Sequence, residues 1–256
     1  MQSGQARRFV VAYCLSQHLV MIVSSSLDAL KLKAAQKALE FLQNGMHIGL
    51  GSGSTTRIFI DLLGEALRSG GLKDIQVVPT SQVTAAQASA LGIPLVSLAQ
   101  AGELDLAVDG ADEVDPALNL IKGLGKALLR EKIIEIQARN FLVIVDETKL
   151  VSALGSLGPL PVEIVPFEVE VHVRWLSSLG CRAELWLEGS GAPFVTENGN
   201  YLARCWFSPS ISDPYSLAET LERRPGIVEH GLFLDMAHGV IVAGERGVRV
   251  LTRTTI

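Results

Sequence analysis

The sequence contains few cysteines, few aromatic residues and no excess of positive charge. Its 256 residues include three cysteines, Cys14, Cys181 and Cys205, and only 5% are aromatic. An odd, widely spaced set of cysteines without a C-x-x-C pair predicts neither a disulfide framework nor a zinc site, so a reducing compartment fits best. The formal net charge of -5 argues against a nucleic-acid partner bound through general positive charge.

The chain also lacks a long unbroken apolar run. The segment RRFVVAYCLSQHLVMIV at 7–23 resembles a signal peptide, because two arginines precede apolar residues. Gln17 and His18 interrupt it, no convincing cleavage pattern follows, and it is too short to span a membrane. We therefore expect a cytoplasmic protein without membrane association, with secretion as the less favoured alternative. Residues 1–23 form an N-terminal extension of uncertain structure, and Met21 is an alternative start.

Hydrophobic residues make up 48% of the chain, enough for a sizeable core. From residue 24 to 155, helical and strand patterns alternate. The predicted helices are 30–43, 55–68, 83–91 and 127–138, and the predicted strands are HIGLG, IQVVPTS, IPLVSL, LDLAV and FLVIV. Strands separated by helices predict a parallel sheet with ligands outside the carboxyl ends of its strands. The predicted fold class is therefore α/β, with a Rossmann-like parallel-sheet domain.

The composition changes after about residue 150, where GSLGPLPVEIVPF is rich in proline and glycine. A strand–helix–strand–strand–helix–strand order follows, with a hairpin signal at Asn198-Gly199. This order predicts a second, smaller ferredoxin-like α+β domain at 156–228. The tail GVIVAGERGVRVL predicts two strands that rejoin the first sheet, so 24–155 and 229–256 form the predicted Rossmann-like domain.

The stretch GLGSGSTT at 49–56 follows a predicted strand and opens a helix, where backbone N–H groups and the helix dipole favour an anion. It is neither a Walker A loop, since no lysine precedes the hydroxyl residues, nor G-x-G-x-x-G, since position 54 is serine. No acid ends the next strand, which disfavours NAD. A phosphate-binding turn is the favoured interpretation, and an ordinary tight turn is the alternative.

The stretch DGADEVD at 109–115 places four carboxylates in seven positions directly after a predicted strand. The acids lack the spacing of an EF-hand. A magnesium site using Asp109 and Asp112 is possible on residue type alone, and a solvated acidic turn is the alternative.

The stretch IKGLGKALLREK at 121–132 supplies a lysine, a glycine turn and a helix that carries Glu131. A lysine beside such a turn can hold an oxyanion or a phosphate. Taken alone, Glu131 would be a surface glutamate and Lys149, in VDETK, a surface lysine.

Taken together, four motifs resemble, in order and spacing, the signatures of ribose-5-phosphate isomerase type A. They are GLGSGST at 49–55, DGADE at 109–113, KGxGxALxREK at 122–132 and DETK at 146–149. The likeness continues through PLPVEIVPF, TENGNY and PGIVEHGLF, so it covers nearly everything from about residue 28. The resemblance implies an aldose–ketose isomerase that converts ribose 5-phosphate, a pentose 5-phosphate, without metal or organic cofactor. It also implies a homo-oligomer, either a dimer or a tetramer.

The resemblance implies that Glu131 carries a proton between C1 and C2 through an enediolate. Lys122 would stabilise the oxyanion, while Asp109 and Asp112 would bind hydroxyls and move protons during ring opening. The substrate-binding residues that it implies are Ser52, Gly53, Ser54, Thr55, Asp109, Gly110, Ala111, Asp112, Lys122, Gly123, Leu124, Gly125, Lys149 and, on a weaker motif, Lys31.

The sequence departs from the family's usual K-G-G-G turn. Leu124 stands between the glycines and would be strained if its φ were positive, and Lys126 adds a nearby charge. We expect activity to be retained. Two rivals share the architecture: a sugar-phosphate-sensing module, and an acyl-CoA transferase-like enzyme with a glutamate nucleophile. The segment before residue 28 is too short and too apolar for the DNA-binding helix-turn-helix expected of the first.

Overall fold

The computed structural model describes residues 26–253, so the predicted N-terminal extension lies outside the described residues. The helices are α1 Ser26–Leu39, α2 Ser54–Arg68, α3 Gln82–Ala90, α4 Leu98–Ala101, α5 Leu128–Glu135, α6 Val169–Ser177 and α7 Pro214–Glu222. The strands are β1 His47–Leu50, β2 Gln76–Pro79, β3 Leu106–Asp109, β4 Glu113–Val114, β5 Leu120–Ile121, β6 Phe141–Asp146, β7 Leu160–Ile164, β8 Arg182–Leu185, β9 Tyr201–Trp206, β10 Ile227–His230, β11 Leu232–Phe233, β12 Gly239–Gly244 and β13 Gly247–Thr252. A 3₁₀ turn, Glu147–Lys149, follows β6.

The large sheet has six strands in the order β13-β12-β6-β3-β1-β2. Its neighbours from β2 to β12 are parallel, and β13 is an antiparallel edge strand. All six residues of β6 are buried, and so is every residue of β3 and β12. Such continuous apolar strands are typical of a sheet covered on both faces. The predicted α/β fold class is confirmed, and the tail joins this sheet as expected.

Two local predictions were wrong. The first helix begins at Ser26 and ends at Leu39, about four residues earlier than predicted. The segment IPLVSL forms only a single bridge, between Val77 and Leu95, and then enters α4. Pro94, just before the bridge, has no N–H to donate, and Ser97, just after it, forms a capping box with Gln100 that begins α4.

The second sheet is antiparallel, with the order β10-β7-β9-β8, and the chain passes through it as βαββαβ. Its buried face packs with α6 and α7 into a separate apolar cluster that includes Val162, Leu176 and Leu221. This is the smaller α+β unit that the element order predicted. We keep 156–228 as the proposed extent of this domain, although β10 runs two residues further.

A small third sheet, with the order β11-β5-β4, lies between the two larger ones. Directly after β5, the backbone N–H of Lys122 donates to the carbonyl of Gly231, which stands between β10 and β11. The lysine predicted to act in the site is therefore held by a segment more than a hundred residues later in the chain.

Candidate active site

The predicted site residues meet at the carboxyl edge of the large sheet. A cleft of about 220 Å³ opens where β1, β3, β5 and β6 end. Of the residues predicted from the sequence, its lining includes Lys31, Ser52, Gly53, Ser54, Thr55, Gly110, Ala111, Asp112, Lys122, Gly123, Gly125, Glu131 and Lys149. Asp109 lies beneath this lining, and the side chain of Leu124 lies outside it. The structure thus brings together motifs that are up to about a hundred residues apart.

Asp109 ends β3 in a fully buried position and organises the floor of the cleft. Its Oδ1 accepts hydrogen bonds from the N–H of Ser52 at 3.0 Å, the hydroxyl of Thr56 at 3.0 Å and the N–H of Gly110 at 2.7 Å. A Cβ placed on Gly51 would lie 1.8 Å from the Asp109 carboxyl carbon. Glycine is therefore required at position 51 for the phosphate-binding turn to approach this carboxylate.

Lys122 is the cation within a buried cluster of three acids, of which only Asp109 belongs to the acidic motif at 109–115. Its buried Nζ lies 2.5 Å from Asp109 Oδ2, 3.2 Å from Glu135 Oε1 and 3.4 Å from Glu131 Oε2, and it donates to the Gly110 carbonyl at 2.8 Å. Burial lowers the pKa of Lys122, but the three carboxylates outweigh it, so the pKa is raised and the ammonium stays charged. One cation thus offsets the repulsion among the acids.

Glu131 projects from α5 into the cleft and is only 3% exposed. Burial raises its pKa to about 8, although the nearby Lys122 opposes the rise. A carboxyl group whose pKa lies near neutrality can both accept and return a proton at physiological pH.

Glu135, one turn after Glu131, is a member of the cluster that the sequence analysis missed. It is equally buried, and burial raises its pKa well above the usual range. Its Oε1 lies 3.2 Å from Lys122 Nζ without hydrogen-bond geometry, and the neighbouring Asp109 adds to the rise of its pKa. The four-residue spacing from Glu131 on a helix was the available signal, since residues i and i+4 share a face.

The glycine turn at 123–126 is held differently from the expectation. Leu124 has no positive φ, so the condition for strain there is not met, and its N–H donates to Asp112 Oδ2 at 2.9 Å. The left-handed positions are Gly123, with φ +109°, and Lys126, with φ +68°. Burial raises the pKa of Asp112, although the bond from Leu124 opposes the rise.

The turn at 49–55, predicted to bind phosphate, opens α2 without a side-chain cap, so the first N–H groups of α2 can accept an anion. Gly53, with φ +110°, turns the chain into the helix. Behind the turn, the Ser52 hydroxyl lies 2.8 Å from that of Thr80 and 3.0 Å from that of Ser81. These hydroxyls after β2 were also missed, because serine and threonine are common at strand ends.

Within residues 26–253, no group of three or more His, Cys, Asp or Glu side chains is arranged to hold a metal ion. The ammonium of Lys122 occupies the centre of the carboxylate cluster. Among the helices of the same part of the chain, none combines the length and apolarity needed to cross a bilayer.

Comparison with known proteins gives one consistent result. Residues 76–247 match the family model described as Ribose 5-phosphate isomerase A (phosphoriboisomerase A). The chain is 45% identical over 256 residues to "Probable ribose-5-phosphate isomerase 3, chloroplastic" of Arabidopsis thaliana, covering 98% of this chain and 92% of the relative. It is 50% identical to "Probable ribose-5-phosphate isomerase 2" of the same organism, with 87% and 86% covered.

Solved structures agree. A D-ribose-5-phosphate isomerase in complex with phospho-erythronic acid superimposes with a TM-score of 0.87 at 45% identity, covering 90% of this chain and all of that one. Ribose 5-phosphate isomerase A from Methanocaldococcus jannaschii gives a TM-score of 0.83 at 39% identity, with 88% and 99% covered. The chain belongs to the ribose 5-phosphate isomerase A family.

Proposed function

We propose that this chain interconverts ribose 5-phosphate and ribulose 5-phosphate, which is the activity for which its relatives are named. The observation that carries the proposal is the buried Glu131 carboxylate, which shares one small cleft with the Lys122 ammonium and an uncapped helix start. These are the base, the oxyanion partner and the anion site that an aldose–ketose isomerisation of a sugar phosphate needs.

In this proposal the phosphate lies at the start of α2, against the N–H groups of residues 53–55. Lys31 and Lys149 line the same cleft and supply positive charge. Binding energy gained at the phosphate, away from the reacting carbons, positions the opened sugar for proton transfer.

The chemical step moves one proton between neighbouring carbons. Glu131 removes the proton from C2 of the open-chain aldose, which leaves an enediolate, and returns it to C1, while a hydroxyl proton passes from O2 to O1. The charged Lys122 stabilises the oxygen on which negative charge develops. Asp112, at the cleft wall, is placed to bind the hydroxyls and to assist ring opening.

The test is turnover by chelator-treated protein. Ribose 5-phosphate should yield the ketose, and Glu131→Gln should lower kcat by about 10² to 10⁴ while substrate binding changes only a few fold. The matched control is Glu103→Gln, an exposed glutamate that pairs with Arg139 away from the cleft and should keep full activity. Near-normal turnover by Glu131→Gln would remove that residue from its role.

The rival sensing module predicts binding without turnover in the same assay. Hydroxamate trapping with acyl-CoA tests the acyl-transfer rival, and its absence is expected. The homo-oligomeric state, dimer or tetramer, and the cytoplasmic location stay predictions. Light scattering tests the oligomeric state, and subcellular fractionation tests the location. One relative is named as a chloroplastic protein.

A further inference from the structure

The helix that carries Glu131 has little stability from its own sequence. Helix α5 has eight residues, and its N-cap residue, Ala127, makes no side-chain cap. Isolated helices shorter than about 12 residues are marginal in water, so tertiary contacts must fix the direction of α5. Lys122 supplies such a contact inside the cleft. The residue next to Glu131, Arg130, supplies one outside it.

Arg130 binds the TENGN loop, residues 196–200, which leads into β9 of the smaller sheet. Its Nε donates to Asn198 Oδ1 at 2.9 Å, and one Nη donates to the Glu197 carbonyl at 3.2 Å. The other Nη pairs with the Glu197 carboxylate. Three acceptors on two adjacent residues fix both the position and the plane of the guanidinium, which a single ion pair would not do.

The TENGN loop is itself held by a buried carboxylate on β7. Glu163 on β7 is 1% exposed, and its Oε1 accepts hydrogen bonds from the Thr196 hydroxyl and the Asn200 amide, both at 2.9 Å. Gly199, with φ +80°, closes the turn. Because a buried carboxylate holds both ends of the loop, the loop provides a fixed point for Arg130.

Glu197 also contacts a second wall of the site. Its Oε1 accepts the N–H of Gln82, the first residue of α3, at 2.9 Å. The N-cap of the same helix, Ser81, accepts a hydrogen bond from the Ser52 hydroxyl in the phosphate-binding turn. One carboxylate from the smaller sheet therefore joins the helix that carries Glu131 to the helix that supports Ser52.

We propose that Arg130 and Glu197 are positioning residues, through which the TENGN loop holds the Glu131 carboxylate in place for proton transfer. The inference rests on the proposed isomerase function and deepens it. Neither side chain lines the cleft that contains Glu131: Arg130 lies on α5 itself, and Glu197 lines an adjoining cavity and contacts α3 as well as Arg130. If their contact is lost, α5 can shift and water can reach Glu131. Because burial is what raises the pKa of Glu131, that pKa then falls.

The experiment compares Arg130→Ala, Glu197→Ala, the double variant and Arg130→Lys by steady-state kinetics over a range of pH. Arg130→Ala should lower kcat about ten- to a hundredfold, since a small misplacement of a reacting group costs this much. Its KM should stay within about twofold, because the phosphate contacts are intact. The acidic limb of the kcat–pH profile should move to lower pH. Arg130→Lys should recover part of the loss.

The double variant separates a shared contact from two independent effects. If Arg130 and Glu197 act through one another, the double variant loses about as much kcat as the worse single variant. The matched control is Arg139→Ala. Arg139 also binds two carboxylates, Glu103 and Asp105, but it lies beyond the amino end of β6. Its loss should leave kcat and the pH profile unchanged.

Three results would overturn the inference: kcat of Arg130→Ala within twofold of the unaltered protein, an equal loss in Arg139→Ala, or losses that multiply in the double variant. If Arg130→Ala fails to fold, Glu197→Gln decides, since it keeps one acceptor oxygen for the Gln82 N–H and replaces the oxygen that pairs with Arg130 by an uncharged NH2 group. An unchanged kcat and pH profile in that variant would then refute the inference. No turnover by the unaltered protein would refute the proposed function instead.

Discussion

Replacing Glu131 by Gln should stabilise the protein while it removes activity. The pKa of Glu131 is raised from 4.5 to about 8 by burial, so its ionisation is less favourable in the folded state than in the unfolded state. A raised carboxyl pKa means that the folded protein holds the proton more tightly. The unfolding free energy therefore falls as pH rises between about 4.5 and about 8. Glu131→Gln removes this pH-dependent decrease in the unfolding free energy, because glutamine does not ionise.

The magnitude follows from the size of the pKa change. Each pKa unit corresponds to about 1.4 kcal/mol, so the rise from 4.5 to about 8 sets an upper bound of about 5 kcal/mol above pH 8. Glu135 titrates beside the same ammonium and takes over part of the charge balance. We therefore expect a gain of about 2 to 5 kcal/mol at pH 9 and little gain near pH 4.5.

Urea unfolding of both proteins at pH 5 and pH 9 checks this prediction, with Glu103→Gln as the surface control. The control should show no pH-dependent difference from the unaltered protein. If Glu131→Gln is less stable than the unaltered protein at pH 9, or if its gain is the same at both values, the cluster does not penalise ionisation of Glu131 as the burial implies.

Three further predictions concern the same cluster. In the unaltered protein, kcat/KM should rise with pH to a plateau above about pH 8, because transfer requires ionised Glu131; a pH–rate profile checks this. Lys122→Met removes the cation from among three carboxylates. It should lower the free energy of unfolding by about 3 to 5 kcal/mol at pH 8 and by less at pH 5, as measured by urea unfolding. Gly51→Ala forces a methyl group into the Asp109 carboxyl group, so it should lower kcat more than Gly189→Ala, where a Cβ meets no atom within 4 Å and φ is not positive. Equal losses in these two variants would contradict the role of that close approach.

The convergence of the site was predictable from the sequence because parallel strands end at one edge. Three motifs directly follow a strand that the sequence pattern predicted. They are the turn at 49–55, the acidic motif at 109–115 and the stretch around Lys149. Lys122 was predicted by its motif, but the strand before it has only two residues and pairs with a distant segment. Its location in the fold therefore depended on contacts that no local pattern shows.

Other parts of the site were missed for a common physical reason. Glu135, Ser81 and Glu197 are ordinary polar residues whose importance comes from burial or from partners far along the chain. The contact between Arg130 and Glu197 joins residues 67 positions apart. The sequence also left open whether Leu124 has a positive φ; in the structure its N–H donates to Asp112, and the non-glycine residue with a positive φ in this turn is Lys126.

The pairing of β5 with β11 has a consequence for biosynthesis. Residues 120–121 can pair early with β4, but they gain their second neighbour only when residues 232–233 have emerged from the ribosome, and β12 and β13 complete the large sheet beside β6 later still. Such long-range pairing is slow to form, because it must close long loops first. A nascent chain that stalls before β11 would expose the unpaired edges of β5 and β6, and exposed strand edges of this kind favour aggregation.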